Sequence, residues 1–193
     1  MKKLAIFVSG GGTDMQSIID AVEKGDINAK IECVICSKDG IFSIERCKKH
    51  NIAYYVFDKK SYASAEDMDR AIITTLESRG VELIVLAGYL NIVTPILVDK
   101  YRNKIINIHP SLIPKYCGMG FYGMKVHRAV IENGEKESGA TVHYVDEGAD
   151  TGAIIRQEKV PVIEGDTPET LQKRVLELEH RLLPKVVAQL CKE

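Results

Sequence analysis

An amide and an imidazole stand two residues apart in Ile105-Ile106-Asn107-Ile108-His109-Pro110, where an apolar run meets a proline. Imidazole changes charge near neutral pH, and a carboxamide donates and accepts hydrogen bonds without ionising. Side chains alternate across a strand, so Asn107 and His109 share one face while Ile106 and Ile108 take the other. Pro110 lacks a ladder donor and fixes its own φ, so the strand ends at His109 or just before it. The polar pair then lies at the mouth of a sheet, where open α/β folds bind ligands. Two readings follow: hydrogen-bonding caps at a strand end, or a proton-handling centre.

Other stretches bear on that choice. Ser9-Gly10-Gly11-Gly12-Thr13-Asp14 follows the apolar run Leu4 to Val8 and opens a helical pattern. Free backbone N–H groups and a helix N-terminus there make an anion site, or else simply a tight turn. A dinucleotide fingerprint would need glycine at Met15, and a Walker loop would need Gly-Lys-Ser/Thr, so a phosphate on a small substrate fits better. Asp146-Glu147-Gly148-Ala149-Asp150-Thr151-Gly152 reads as a solvated turn, or as a turn that exposes a carboxylate. A carboxylate near His109 would hold one tautomer and raise the imidazole pKa, as in a proton shuttle. Its acids lack the alternating spacing and length of a calcium loop, and no metal is expected. Leu86-Ala87-Gly88-Tyr89-Leu90-Asn91-Ile92-Val93 is apolar for a loop, lining a pocket for a flat organic ligand or packing under a helix. His50 and His180 read as surface residues and His127 as a helix opener; His143 lies on a strand and either faces the site or, the preferred reading, is a satisfied structural histidine.

These stretches need elements to hold them. Strands are expected at Leu4 to Val8, Ile31 to Cys36, Ile52 to Phe57, Leu83 to Ala87 and Ile105 to His109. Helical patterns separate them, and Thr94-Pro95 offers an N-cap with Pro at the first helical position. The alternation predicts an α/β fold, Rossmann-like and doubly wound, with a mainly parallel sheet. After Pro110 a loop rich in Gly and aromatics leads to a short helix near Asn133-Gly134. Gly139 to Val145 and Ala153 to Val160 then form a C-terminal mixed β-hairpin. A last helix starts at Thr167-Pro168, with a kink or break before Pro184. At 193 residues without repeat or linker, the chain 1–193 is expected to be one domain.

Composition narrows the class. A net charge of -1 gives no argument for nucleic-acid or membrane binding, and no apolar run nears the roughly 20 residues of a membrane span. Met1-Lys2-Lys3 before a short apolar run reads as a first strand, not a signal peptide. Five cysteines without framework spacing point to a reduced, cytoplasmic setting. Cys33-x-x-Cys36 lies inside an apolar run and has no partner pair at zinc spacing, so it reads as buried strand cysteines.

Taken together the motifs resemble a known family. Ser-Gly-Gly-Gly-Thr, Leu-Ala-Gly-Tyr-Leu, Asn-Ile-His-Pro-Ser-Leu-Ile-Pro-Lys-Tyr and Gly-Ala-Thr-Val-His-Tyr-Val-Asp-Glu-Gly-Ala-Asp-Thr-Gly occur in that order across nearly the whole chain. The chain resembles the phosphoribosylglycinamide formyltransferases, folate-dependent enzymes of purine biosynthesis within the 10-formyltetrahydrofolate formyltransferase superfamily. The resemblance implies a formyltransferase fold and formyl transfer from 10-formyltetrahydrofolate to phosphoribosylglycinamide (GAR), by a monomer or homodimer acting on small molecules. By position, His109 matches the catalytic histidine, Asn107 the catalytic amide and Asp150 the carboxylate supporting the histidine. Gly11, Gly12, Thr13 and Asp14 fall on the ribonucleotide-binding loop, and Glu179 matches a substrate-side glutamate on the last helix. Leu90, Asn91, Ile92 and Val93 fall on the folate-binding segment, with Asn107 beside it. Asp146, Glu147 and Asp150 fall on the loop enclosing the pterin.

The chain departs from the pattern in places. Asn91 stands where many members have Arg, and many have Arg again near Ala65, so the resemblance implies a different hold on the folate's glutamate tail. Asp14 replaces a common Asn, and the loop from Cys117 to His127 is longer than in short-loop members. Two rivals keep the formyl donor and change the acceptor, to water or to methionyl-tRNA. Such enzymes usually carry an extra N-terminal or C-terminal domain, and neither is expected here. A third is a non-catalytic phosphate-ligand binding module, in which Asn107 and His109 are structural.

Overall fold

The computed structural model describes residues 1–192. Its centre is a seven-stranded sheet in the order β3-β2-β1-β4-β5-β6-β7. The strands are β1 (Lys2–Val8), β2 (Ala29–Cys36), β3 (Tyr54–Val56), β4 (Leu83–Leu86), β5 (Ile105–His109), β6 (Glu137–Tyr144) and β7 (Ile154–Pro161). Pairings from β3 through to β5 are parallel, while β5 with β6 and β6 with β7 are antiparallel. Leu4 to Val8 are fully buried, as expected of a strand covered on both faces. The expected strand at Ile52 to Phe57 shortens to three residues because β3 is an edge with one partner. Cys33 and Cys36 are free and fully buried in β2.

Among the described residues six α-helices cover the sheet: α1 (Thr13–Glu23), α2 (Phe42–Lys49), α3 (Ala65–Ser78), α4 (Pro95–Lys100), α5 (Met124–Glu132) and α6 (Pro168–Leu190). One core gathers α1, α2, α5 and α6 against Ile6, Val34, Val85 and Ile108. The other gathers α3 and α4 against Phe7, Ile35 and Ile84. Ile106 and Ile108 belong to the first core, leaving Asn107 and His109 on the opposite side of β5.

Of the kink or break expected before Pro184, the break does not occur: α6 runs continuously through it. Proline there removes only the donor that would reach the His180 carbonyl. Leu182, Leu183, Val186 and Val187 on either side are fully buried, and their packing carries the helix across the missing bond. Its start follows the sequence: Thr167 and Thr170 form a reciprocal capping box with Pro168 at the first position.

Candidate active site

Strand order reverses between β1 and β4, where β1 leads leftward to β2 and the chain returns to β4 on the other side. Loops leaving the carboxyl ends of such neighbouring strands diverge and leave a crevice. Here the two loops are stitched together: Ser9 N–H donates to the Gly88 carbonyl at 3.1 Å, and Leu90 N–H donates to Ser9 Oγ at 2.9 Å. A cavity of about 580 Å³ opens beside them. Leu90, Ile92, Val93 and Val145 form an apolar wall, and Asn107, His109, Asp150, Asp14 and Glu179 bring polar groups. This volume and balance suit an organic ligand with a few fixed polar contacts.

β5 delivers Asn107 and His109 to the cavity, and Pro110 ends the strand directly after His109. His109 is 5% exposed. Its Nε2 lies 2.8 Å from the Tyr116 carbonyl, which only accepts, so Nε2 carries the hydrogen. The lone pair of the neutral ring is therefore on Nδ1, 3.6 Å from Asp150 Oδ2. Burial holds the His109 pKa below its ordinary value, outweighing the upward pull of the Tyr116 carbonyl and of Asp150. The pull of Asp150 has the sign expected of a nearby carboxylate, and desolvation outweighs it.

Asp150 sits at φ 57, a left-handed conformation uncommon for a non-glycine residue. Its Oδ2 accepts the Gly118 N–H at 2.9 Å, and its Oδ1 lies 3.5 Å from both His143 Nε2 and Asn107 Nδ2. Burial pushes this carboxyl up, but the contact with the His143 ring, the Gly118 N–H and the His109 imidazole hold it below the usual range. Tyr116, whose carbonyl engages His109, also has positive φ at 51. Two residues in a strained region at one site, each holding a polar partner, are what a pre-set constellation looks like.

The acceptor side is built differently. Gly12 caps α1 at φ 70, and a Cβ there would lie 2.8 Å from Ser43 Cβ, so only glycine fits. Ser43 Oγ donates to the Gly10 carbonyl at 2.6 Å, and Arg46 donates to the Gly11 carbonyl at 2.8 Å. Of the residues expected on this loop only Asp14 lines the cavity, together with Glu179 of α6; Gly11 and Gly12 precede α1 without lining it, and Thr13 lines a neighbouring cleft with Arg46 and His180. Glu179 is buried and Asp14 largely so, and desolvation pushes Asp14 up to about 7 and Glu179 well above its usual value. His180, expected at the surface, instead faces Asp14 Oδ1 at 3.7 Å.

Among residues expected at the folate side, Leu90, Asn91, Ile92, Val93, Asn107 and Asp150 line the cavity. Asp146 and Glu147 do not. Asp146 Oδ1 accepts from Gly148 N–H at 3.0 Å and Thr151 Oγ1, shaping the loop, while Glu147 pairs outward with Arg102 at 2.8 Å. His143, for which facing the site was one of two readings, lines the cavity; sequence reasoning missed the Tyr116 carbonyl, the Gly118 N–H and Arg46. It also missed that His127 lines the cavity, 2% exposed, where burial takes its pKa down to about 4. Among the described residues no group of three or more His, Cys, Asp or Glu side chains is arranged to hold a metal, and no helix is long and apolar enough to cross a membrane.

Known proteins resemble this chain over nearly its whole length. A family model described as formyl transferase matches residues 2–187. The chain is 45% identical to phosphoribosylglycinamide formyltransferase of Haemophilus influenzae over 187 residues, 97% of this chain and 86% of that one. With the Bacillus subtilis enzyme of the same name it shares 41% identity over 190 residues, 98% of this chain and 95% of that one. The solved glycinamide ribonucleotide transformylase 1 of Geobacillus kaustophilus superposes with a TM-score of 0.93 at 40% identity, covering 99% of each chain. From its first strand to its last helix, the chain belongs to the formyl transferase family.

Proposed function

We propose that the chain transfers the formyl group of 10-formyltetrahydrofolate to the primary amine of phosphoribosylglycinamide, giving formyl-GAR and tetrahydrofolate, in purine biosynthesis. The observation that carries the reading is the meeting of Asn107, His109 and Asp150 at one buried spot of a cavity that is apolar on one wall and acidic on another. GAR enters with its phosphate on the N–H groups of Gly11, Gly12 and Thr13, where the helix dipole favours an anion. Asp14 and Glu179 face its sugar side. The folate ring system lies along Leu90, Asn91, Ile92 and Val93, and the Asp146 to Asp150 loop encloses it.

The amine nitrogen of GAR attacks the formyl carbon, and negative charge develops on the formyl oxygen. One N–H of Asn107 donates to that oxygen. Neutral His109, with its lone pair on Nδ1, takes the proton that the amine sheds and becomes a cation beside Asp150. The new C–N bond to GAR stays, the bond from carbon to the folate nitrogen breaks, and that nitrogen leaves with the proton from His109. Asp150 lowers the energy of the transient imidazolium, at a distance that leaves room for the ring to exchange its proton with substrate.

His109→Ala should lower kcat for GAR formylation by about 10²–10³-fold with a smaller change in KM, as expected for a group that acts in the transition state. Formyl transfer from 10-formyltetrahydrofolate to GAR is the assay. Near-normal turnover in that variant would remove His109 from the chemistry, and donor consumption without GAR formylation would point to water as acceptor.

A further inference from the structure

We propose that His143 is a positioning residue for this transfer: it fixes which end of the Asn107 amide faces the reacting groups. The inference rests on the reading of Asn107 as the donor to the formyl oxygen.

With the His143 ring neutral, each proton has one place. His143 Nδ1 lies 2.8 Å from the Tyr144 carbonyl, which only accepts, so Nδ1 carries the hydrogen of the neutral ring. Nε2 is then an acceptor, and Asn107 Nδ2 donates to it at 3.2 Å. The two ends of a carboxamide have nearly the same shape, so packing alone does not choose between them. The lone pair on His143 Nε2 does choose. An inverted amide would set its oxygen against that lone pair and against the Asp150 carboxylate, both repulsive. In the chosen orientation the second Nδ2 hydrogen has only Asp150 Oδ1, at 3.5 Å, and is free to turn to a better acceptor.

The backbone fixes this contact. Asn107 and His143 are directly paired across β5 and β6, which brings their side chains together. The β6–β7 register shifts between Val142 and His143, an irregularity of the kind that re-aims a side chain. The ring is 2% exposed and so does not exchange its partners for water. A Cβ at Gly152 would lie 1.7 Å from the Tyr144 oxygen, so glycine there lets the chain pass the very carbonyl that sets the His143 tautomer.

Two substitutions separate positioning from packing. Glutamine places an oxygen near the Nε2 position and keeps the acceptor, whereas asparagine reproduces only the Nδ1 side and loses it. His143→Asn should lower kcat about 10- to 100-fold, the scale of a misoriented catalytic group, with KM for both substrates within about threefold. His143→Gln should retain kcat within about fivefold. In an Asn107→Ala background His143→Asn should cost little more, because the amide it orients is gone. Thermal melts of all variants check that each is folded. The proposal is overturned if His143→Asn keeps full kcat, if folded His143→Gln loses as much as His143→Asn, or if the loss persists undiminished without Asn107. If Asn107→Ala alone leaves turnover unchanged, the reading of Asn107 fails instead.

Discussion

Asp150 and His109 face each other across 3.6 Å, and the pH response of the site follows from their opposed environments. Turnover in the proposed mechanism needs neutral His109, so kcat climbs as pH rises through its pKa and is level above it. Burial holds that pKa below 6.5, so the level region should already include neutral pH. Asp150 pulls it upward, so Asp150→Asn should shift the acid limb of the kcat profile to lower pH while lowering the plateau by about 10-fold or more. An acid limb that moves to higher pH would contradict this assignment of charges. Asp14 gives the opposite kind of test. Its carboxyl binds protons more tightly folded, at about 7, than unfolded, at 3.8, so stability is present below that window and falls as pH rises through it. Asp14→Asn should leave the melting temperature unchanged at pH 4 and raise it at pH 8 by roughly 4–8 °C, corresponding to about 2 kcal/mol. Equal shifts at both pH values would show that burial of the charge is not the cause. At this scale Asn107 and His109 were legible because their types and a following proline are written in the chain. Tyr116 and Gly118 were not, because they act through a carbonyl and an N–H that every residue has.

Elements were legible where one periodicity ran unopposed. The α1 pattern of Met15, Ile18 and Ile19 became the buried face of that helix, and Ile105 to His109 became β5 with those bounds. Pro184 misled because local chemistry argued for a break while the buried leucines and valines around it, fixed by tertiary packing, argued for continuity. Asp146 and Glu147 misled in another way: a run of acids marks a loop but does not say which side chain turns inward. Gly12 is the element-scale position where sequence and geometry agree most closely. Gly12→Ala meets both positive φ and the Ser43 contact, and should cost about 1–3 kcal/mol of stability. It should also raise KM for GAR more than it lowers kcat, since the loop it distorts is the phosphate cradle; calorimetry and steady-state rates would read the two effects. An unchanged KM would separate the loop from the acceptor.

Across the whole molecule, alternation of strand and helix gave the layered α/β class, but not the strand order. Nothing in the chain states that β1 and β4 lie side by side, and it is that adjacency which brings Ser9 against Gly88 and opens the crevice. The antiparallel return of β6 likewise sets His143 opposite Asn107, a pairing 36 residues apart in sequence. Distant segments therefore meet at few atoms, and one of them is easy to watch. The Gly118 N–H, on the long loop after β5, points at Asp150 Oδ2 at 2.9 Å. Its amide resonance in a nitrogen–proton spectrum is a built-in voltmeter for the carboxylate. The proton signal should lie downfield near neutrality and move upfield as acid neutralises Asp150, below the usual carboxylate range. In Asp150→Asn the same resonance should no longer follow that titration. A Gly118 signal indifferent to pH in the unaltered protein would mean that loop and carboxylate do not meet in solution.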